Sequence, residues 1–397
     1  MRKTIQLCLI GILSILNSAI LPAYAKTESF VKVYTYEAGE ADSKLTCRTI
    51  ALEQVKRLLL EELGTYLISS TEVINSQLTK DQIVTYTSGI VMTVIIDEKW
   101  DGKKYTLKAK VTADPEDVAK TINLLRKDRE KTEEMRNLQE QTSAAMKEID
   151  QLAKELATTK LDKLKQERYL NSVNKLLANE TVETGVQLLK QHKFKDAVKT
   201  LTNALTYNPE SVRALYNRGW AYFELKKYDA AAKDFDSAIK IKPTYLYPHY
   251  GKGRIAIKQG RLEEALSSFE KIIVADPEFA RGYNGRGIYF LKTGLLEKAK
   301  SDFDKALELN HQYAAAYINR GLYYYKISEL SSAINDFNKG IVLDPRYASS
   351  YFYRGNAYSK LKNMDKAMED YRMAADLGYV QAKKKLERKS NSTSQGE

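Results

Sequence analysis

Three rhythms of apolar and polar residues divide the chain. The first is an alternation. Tyr105, Leu107, Ala109 and Val111 interleave with Thr106, Lys108, Lys110 and Thr112, the pattern of a half-buried strand. The second is helical. Ile50, Ala51, Val55, Leu58, Leu59 and Leu63 share one face of a helix from about Ser43 to Tyr66. Further on, Met135, Leu138, Thr142, Ala145, Ile149, Leu152 and Leu156 alternate spacings of three and four, which is a heptad seam. The third rhythm is a 34-residue period that begins at Ala178 and runs almost to the end.

Around the alternating strand, residues 26–125 read as a small α+β domain. "GIVMTVIIDEKW" and "KYTLKAKVTAD" are two strands joined at Asp101-Gly102, a strong hairpin signal. "FVKVYTY" (30–36) supplies a third strand, and "LTKDQI" (78–83) opens a second helix. Asp114 caps a further helix with Pro115 in its first turn. The helix rich in Ala, Arg and Leu that ends near Gly64, and the "GIV" before the hairpin, loosely resemble the N-terminal domains of exported bacterial flagellar assembly proteins of the T type. That resemblance carries no catalytic residue with it.

Residues 126–177 contain neither glycine nor proline. The heptad seam weakens near Thr159 and resumes irregularly at Leu161, Leu164, Leu170, Val173 and Leu177. One reading is a coiled coil that joins copies of the chain into a homo-oligomer. The other is a single solvated helix between two domains. A continuous helix from Glu116 to Ala178 would span roughly 90 Å, so either form is a spacer.

The 34-residue period is carried by Gly185, Gly219, Gly253, Gly287, Gly321 and Gly355. Twelve residues after each stands an alanine: Ala197, Ala231, Ala265, Ala299, Ala333 and Ala367. Four further on is a bulky residue: Leu201, Phe235, Phe269, Phe303, Phe337 or Tyr371. Pro209, Pro243, Pro277 and Pro345 close four of the units. Six units therefore begin at Ala178, Val212, Leu246, Ala280, Ala314 and Ala348, filling residues 178–378. Each predicts two helices that cannot bury their apolar faces alone, so neighbours stack into a solenoid. This pattern resembles the tetratricopeptide repeat, which implies a superhelix of helix pairs with a concave groove that binds a protein or peptide. Residues 379–388 then read as a capping helix and 389–397 as a disordered tail.

Within the units, arginine and aspartate come and go together. Arg218, Arg286, Arg320 and Arg354 are each followed sixteen residues later by Asp234, Asp302, Asp336 and Asp370. Thr184 and Lys252, at the same place in the other two units, are followed by Thr200 and Ser268. The covariation predicts four ion pairs between the two helices of a unit. The resemblance also implies a groove lining, which here is Tyr216, Asn217, Trp220, Phe223, Tyr250, Arg254, Asn284, Asn319, Tyr325, Phe352, Tyr353 and Asn356. Lys190, Lys258, Lys292, Lys326 and Lys360 recur at the ends of the first helices, where lysine favours the helix dipole.

Composition changes the picture at the chain start. Arg2 and Lys3, the apolar stretch from about Ile5 to Leu21 and Ala23-Tyr24-Ala25 form a secretory leader over residues 1–25, with a membrane anchor as the alternative. Its removal lowers the net charge from +12 to +10 and leaves Cys47 as the one cysteine, so disulfides do not build the fold. Cys47 reads as buried or, alternatively, as an intermolecular bridge. In an exported protein this basic excess points to an anionic envelope surface or an acidic protein face, and not to nucleic acid. His192, His249 and His311 join no cysteine, serine or carboxylate motif, and no phosphate loop or metal-ligand spacing occurs. The sequence thus predicts a mainly α protein: a solenoid of six tetratricopeptide-repeat helix pairs behind a small α+β domain and a long coiled-coil helix. We expect a non-enzymatic exported scaffold, periplasmic, that needs no cofactor or metal and serves an envelope-associated assembly. A charge-driven binder of an anionic surface is the alternative, and a small enzyme activity in the front domain is a further one.

Overall fold

The computed structural model describes residues 27–68, 79–88, 90–125, 129–158 and 162–393. The leader, Cys8 included, and the last four residues of the tail lie outside the described residues. Among the described residues there are seventeen helices and one three-stranded sheet, and none of those helices is long and apolar enough to cross a membrane.

The front domain follows its sequence pattern. Strands β1 (Glu28–Glu37), β2 (Thr93–Trp100) and β3 (Lys104–Ala113) form an antiparallel sheet in the order β1-β3-β2. β1 and β3 pair without a bulge from Glu28↔Ala113 to Glu37↔Lys104. The β2–β3 turn is held by Asp101, whose Oδ1 accepts from the backbone N–H of Lys103 (2.8 Å) and Lys104 (2.6 Å), with Gly102 at φ 99°. Those backbone bonds hold the Asp101 carboxyl below its usual range. The alternating face of β3 turns Tyr105, Leu107, Ala109 and Val111 onto α1 (Lys44–Ile68), where Val55, Leu59 and Leu63 are fully buried. Helices α2 (Lys80–Ser88) and α3 (Pro115–Leu125) close the same core through Ile83 and Ile122. Cys47 is fully buried in it, and burial pushes the thiol pKa up to about 11.

The spacer is not a single rod. Helix α4 (Arg129–Thr158) ends, and α5 (Lys163–Lys190) starts at Asp162, whose side chain caps the Lys165 N–H. α5 runs back antiparallel along α4. Glu148 accepts from Arg168 (2.8 Å) and Ser172 (2.7 Å), and Lys165 bridges Glu155 at 2.9 Å. The heptad seam is buried as its spacing predicts, but its partner is the same chain. Ala145, Ile149 and Leu152 pack on Tyr169, Val173, Leu176 and Leu177 of α5 and on Ile50 of α1, while Met135 enters the front-domain core. This corrects the reading of the spacer as a lone solvated helix; within one chain, α5 covers the stripe that the coiled-coil reading gives to a second copy. An intramolecular hairpin buries the same stripe without the entropy of bringing two chains together.

One helix runs through the boundary near residue 177. α5 is continuous into the first helix of the first repeat unit. Three further ties fix the front domain to this arm. Tyr169 donates to Asp42 (2.6 Å), Tyr36 and Tyr169 share a hydrogen bond (3.0 Å), and Arg48 bridges Glu98 (3.1 Å) and Glu180 (3.3 Å).

After α6 (Phe194–Tyr207) the units follow as predicted. The pairs are α7 (Val212–Glu224) with α8 (Tyr228–Ile241), α9 (Leu246–Gln259) with α10 (Leu262–Ala275), and α11 (Ala280–Thr293) with α12 (Leu296–Leu309). Then come α13 (Ala314–Lys326) with α14 (Leu330–Leu343), α15 (Ala348–Lys360) with α16 (Met364–Asp376), and the cap α17 (Val380–Thr393), which runs past the expected boundary at 388 into the segment read as a disordered tail. A Cβ added at Gly321 would stand 2.7 Å from the Phe337 ring, so the glycine is what lets the two helices close on that ring.

Candidate functional site

Successive first helices of the units (α5, α7, α9, α11, α13, α15) touch one another, whereas successive second helices contact each other only weakly. The stack therefore curves toward its first helices, and their free faces form the inner wall.

The four predicted ion pairs are present and bidentate. Nε and Nη2 of each arginine reach the two carboxylate oxygens at 2.8 and 2.7 Å for Arg218–Asp234, and at 2.8 and 2.9 Å for Arg286–Asp302. The distances are 2.7 and 2.9 Å for Arg320–Asp336, and 2.9 and 2.6 Å for Arg354–Asp370. All four aspartates are buried. In three of the pairs the arginine's remaining nitrogen reaches backward, to Thr202 (3.2 Å), Asp304 (2.6 Å) or Asn338 (2.6 Å) on the second helix of the preceding unit. One guanidinium thus staples three helices, sixteen residues forward and sixteen back. This is architecture: it commits two or three of each arginine's five N–H donors, and the whole of the paired carboxylate, to holding the helices together.

The predicted groove lining divides into three groups. Asn217, Phe223, Tyr250 and Asn284 are buried and serve the wall itself. Asn284 donates to the hydroxyls of Tyr250 (3.3 Å) and Tyr313 (3.1 Å) and accepts from Asn319 (2.8 Å), so one amide ties three units together. Phe352 and Asn356 are engaged at the capped end: Phe352 packs on Tyr371 and Tyr379, and Asn356 accepts from Tyr371 and Lys385. Tyr216, Trp220, Arg254, Asn319, Tyr325 and Tyr353 are half-buried. Of these, Trp220 stacks on Phe223 at 5.0 Å and faces Tyr250 at 6.2 Å.

Arg254 lies at the centre of this wall. Its Nη1 donates to the Tyr250 hydroxyl at 2.7 Å, and its guanidinium carbon stands 6.0 Å from the Trp220 ring and 5.7 Å from those of Phe223 and Tyr250. Such ring faces favour a cation. Arg254 and Arg281 draw the Tyr250 hydroxyl's pKa down against the burial that raises it. Burial raises the pKa of the nearby Glu224 carboxyl, partly offset by Arg254, His192 and Lys258. Burial, and then the charge of Arg254, lowers that of Lys258.

Several inner residues were not anticipated. Tyr245, Phe279, Tyr313 and Tyr347 each immediately precede a first helix, and Arg281 stands 5.1 Å from the rings of both Tyr247 and Tyr313. Their own 34-residue spacing is the signal that could have found them. The helix-end lysines also do more than meet their own dipole. Lys292 Nζ donates to the Ile257 carbonyl (2.7 Å) and Lys326 Nζ to that of Leu291 (3.1 Å), each at the end of the preceding unit's first helix. At the other end of the wall, Arg213 bridges Glu134 of α4 (3.0 Å) and Glu183 of α5 (2.5 Å). A cavity of about 240 Å³ lies between the start of α4 and the loops around Tyr245 and Phe279. Among the described residues, no three His, Cys, Asp or Glu side chains converge as metal ligands.

Family models described as tetratricopeptide repeat or TPR repeat match residues 183–245, 250–314, 324–362 and 348–377. No curated protein matches the chain. Similar solved structures include a thermophilic TPR protein of Thermus thermophilus, with 20% identity, 45% of this chain and 98% of that one covered and a TM-score of 0.42. Another is YrrB, described as a TPR protein with an unusual peptide-binding site, with 23% identity, 46% and 97% coverage and a TM-score of 0.30. A third is pilF of Pseudomonas aeruginosa, with 18% identity, 53% and 97% coverage and a TM-score of 0.38.

Proposed function

We propose, from the premise that residues 183–377 are a tetratricopeptide-repeat array, that the protein is a non-catalytic scaffold which holds an extended segment of a partner protein along its inner wall. The observation that carries this reading is the half-exposed row of Tyr216, Trp220, Asn319, Tyr325 and Tyr353 on the first helices, with Arg254 among them. Aromatic rings offer contact area at low entropic cost, and asparagine amides can bond a peptide backbone. The leader sequence supports export, so the partner belongs to an envelope assembly, in the periplasm. The front domain and its hairpin arm hold the array at a set position, since Tyr169, Arg48 and the seam bind them together.

The test is capture from envelope extract by the full chain lacking residues 1–25. Trp220→Ala should retain a cooperative melt, while capture of the partner falls at least about tenfold, the scale of an aromatic anchor. Unchanged capture would move the binding surface off the inner wall. The competing reading, attachment to an anionic envelope surface through excess Lys and Arg, requires binding that collapses as salt rises and ignores Trp220→Ala.

A further inference from the structure

Arg254 is an exception among the arginines of the first helices. Arg218, Arg286, Arg320 and Arg354 are each paired with an aspartate of their own unit. Arg254 stands two residues beyond the place those arginines occupy in their units, where Lys252 is found instead. At its position the other units carry Val186, Trp220, Ile288, Leu322 and Asn356, so no other unit puts a charge there. Among the described residues no carboxylate lies within 4.0 Å of its guanidinium, and its hydrogen-bond partner is the Tyr250 hydroxyl. Glu224 is the acid whose charge it feels, but beyond ion-pair distance, and Lys258 adds a second positive charge beside it. A half-buried guanidinium with open donors is costly to leave unpaired and matches a carboxylate through two parallel N–H bonds.

Resting on the reading of the inner wall as a peptide site, we propose that Arg254 is its specificity point: it takes the side-chain carboxylate of an Asp or Glu in the bound segment, with Trp220 packing the residue beside it. The source is a side chain and not a chain terminus because Arg254 sits in the third of six units. The wall continues on both sides of it, toward Tyr216 in the second unit and toward Asn319 and Tyr353 in the fifth and sixth, and Tyr347 comes near enough for its hydroxyl to feel the charges of Arg254 and Glu224. A segment lying along the wall passes Arg254 in mid-chain.

The test is selection of random twelve-residue peptides displayed against the full chain lacking residues 1–25, followed by titration of enriched peptides made with acetylated and amidated ends. The expected result is a shared Asp or Glu flanked by apolar residues. Its change to Asn or Gln should weaken binding at least tenfold to the unmodified protein and less than twofold to Arg254→Gln. Equal losses against both proteins, enriched peptides without a shared carboxylate, or binding that needs a free C-terminus would each overturn the assignment to Arg254 while leaving a peptide groove in place. No enrichment of any peptide would overturn the groove reading itself. If Arg254→Gln loses its cooperative melt, Arg254→Lys, which keeps the charge but not the fork, carries the same comparison: the acid-to-amide penalty should then shrink without vanishing, and an unchanged penalty counts against the proposal.

Discussion

The repeat array and the arm that carries it bury their side chains by opposite means. In the array, the stapling contacts recur at fixed short separations: sixteen residues for each Arg–Asp pair and for each backward reach to Thr202, Asp304 or Asn338. A helix pair finds its partners in itself and its two neighbours, so its geometry is written locally and six times over. In the arm the decisive contacts join distant parts of the chain. β1 pairs with β3, Tyr36 and Asp42 meet Tyr169, Arg48 meets Glu180, and Glu134 meets Arg213. Nothing repeats there, so a single lost contact has no copy to share its load. The difference teaches where the molecule is redundant and where it is not.

The largest effect should come from breaking the arm. Ile149 is 1% exposed, packed between α5 and α1. Ile149→Asp buries an unpaired charge there, and we expect a loss of roughly 3–5 kcal/mol in chemical denaturation. Sedimentation decides what the seam is for. The parent chain should run as a monomer at micromolar concentration, and the variant should unfold its arm without any change of assembly state. A parent dimer that Ile149→Asp dissociates would restore the seam between chains.

That seam also marks the limit of what the sequence discloses. Its residues were legible, because a stripe at spacings of three and four must be buried. Its partner was not, since periodicity says that a face is covered and never by what. The signal for the hairpin's second helix is a single N-cap at Asp162 in a stretch without glycine or proline. In the array, by contrast, the Arg–Asp pairs could be read in full, because six copies supply their own covariation. The groove was legible only in part. Phe223, Tyr250 and Asn284 fall on the inner face as their position requires, yet they are consumed by the wall, which depends on rotamers and neighbours that no register reveals.

A middle effect separates one unit from another. Arg320→Leu strands Asp336, which is 1% exposed, and releases Asp304 on the neighbouring unit. The expected cost is about 2–3 kcal/mol, and Arg320→Leu with Asp336→Leu should recover most of it, because an apolar pair of similar volume replaces the buried ions without a desolvation debt. In the third unit, Lys252 meets Asp236 across an exposed pair, with 36% and 58% of the side chains accessible. Lys252→Ala should therefore cost less than about 0.5 kcal/mol in the same denaturation measurement. Additive losses in the Arg320 cycle would mean that arginine and aspartate act separately.

The smallest effect tests whether the units differ only where function or history has touched them. Each turn between the two helices of a unit passes through one left-handed residue: His192 (φ 58°), Lys226 (61°), Gly260 (78°), Gly294 (82°), Ser328 (66°) and Lys362 (60°). Four units thus place a side chain where glycine is at ease. At Gly260 and Gly294 an added Cβ would meet nothing within 4 Å, so any penalty there is one of backbone conformation and not of space. That conformation costs an L-residue roughly 1–2 kcal/mol, against which glycine gives back about 0.5–1 kcal/mol through its freer unfolded chain. Lys226→Gly should then stabilise by some tenths of a kcal/mol up to about 1, and Gly260→Ala should destabilise by a similar amount. Thermal denaturation of the two single variants and their combination reads the effect, and the pair should nearly cancel because the two turns share no contact. Should Lys226→Gly destabilise instead, its exposed ammonium must hold something in the second unit that the left-handed backbone alone does not explain.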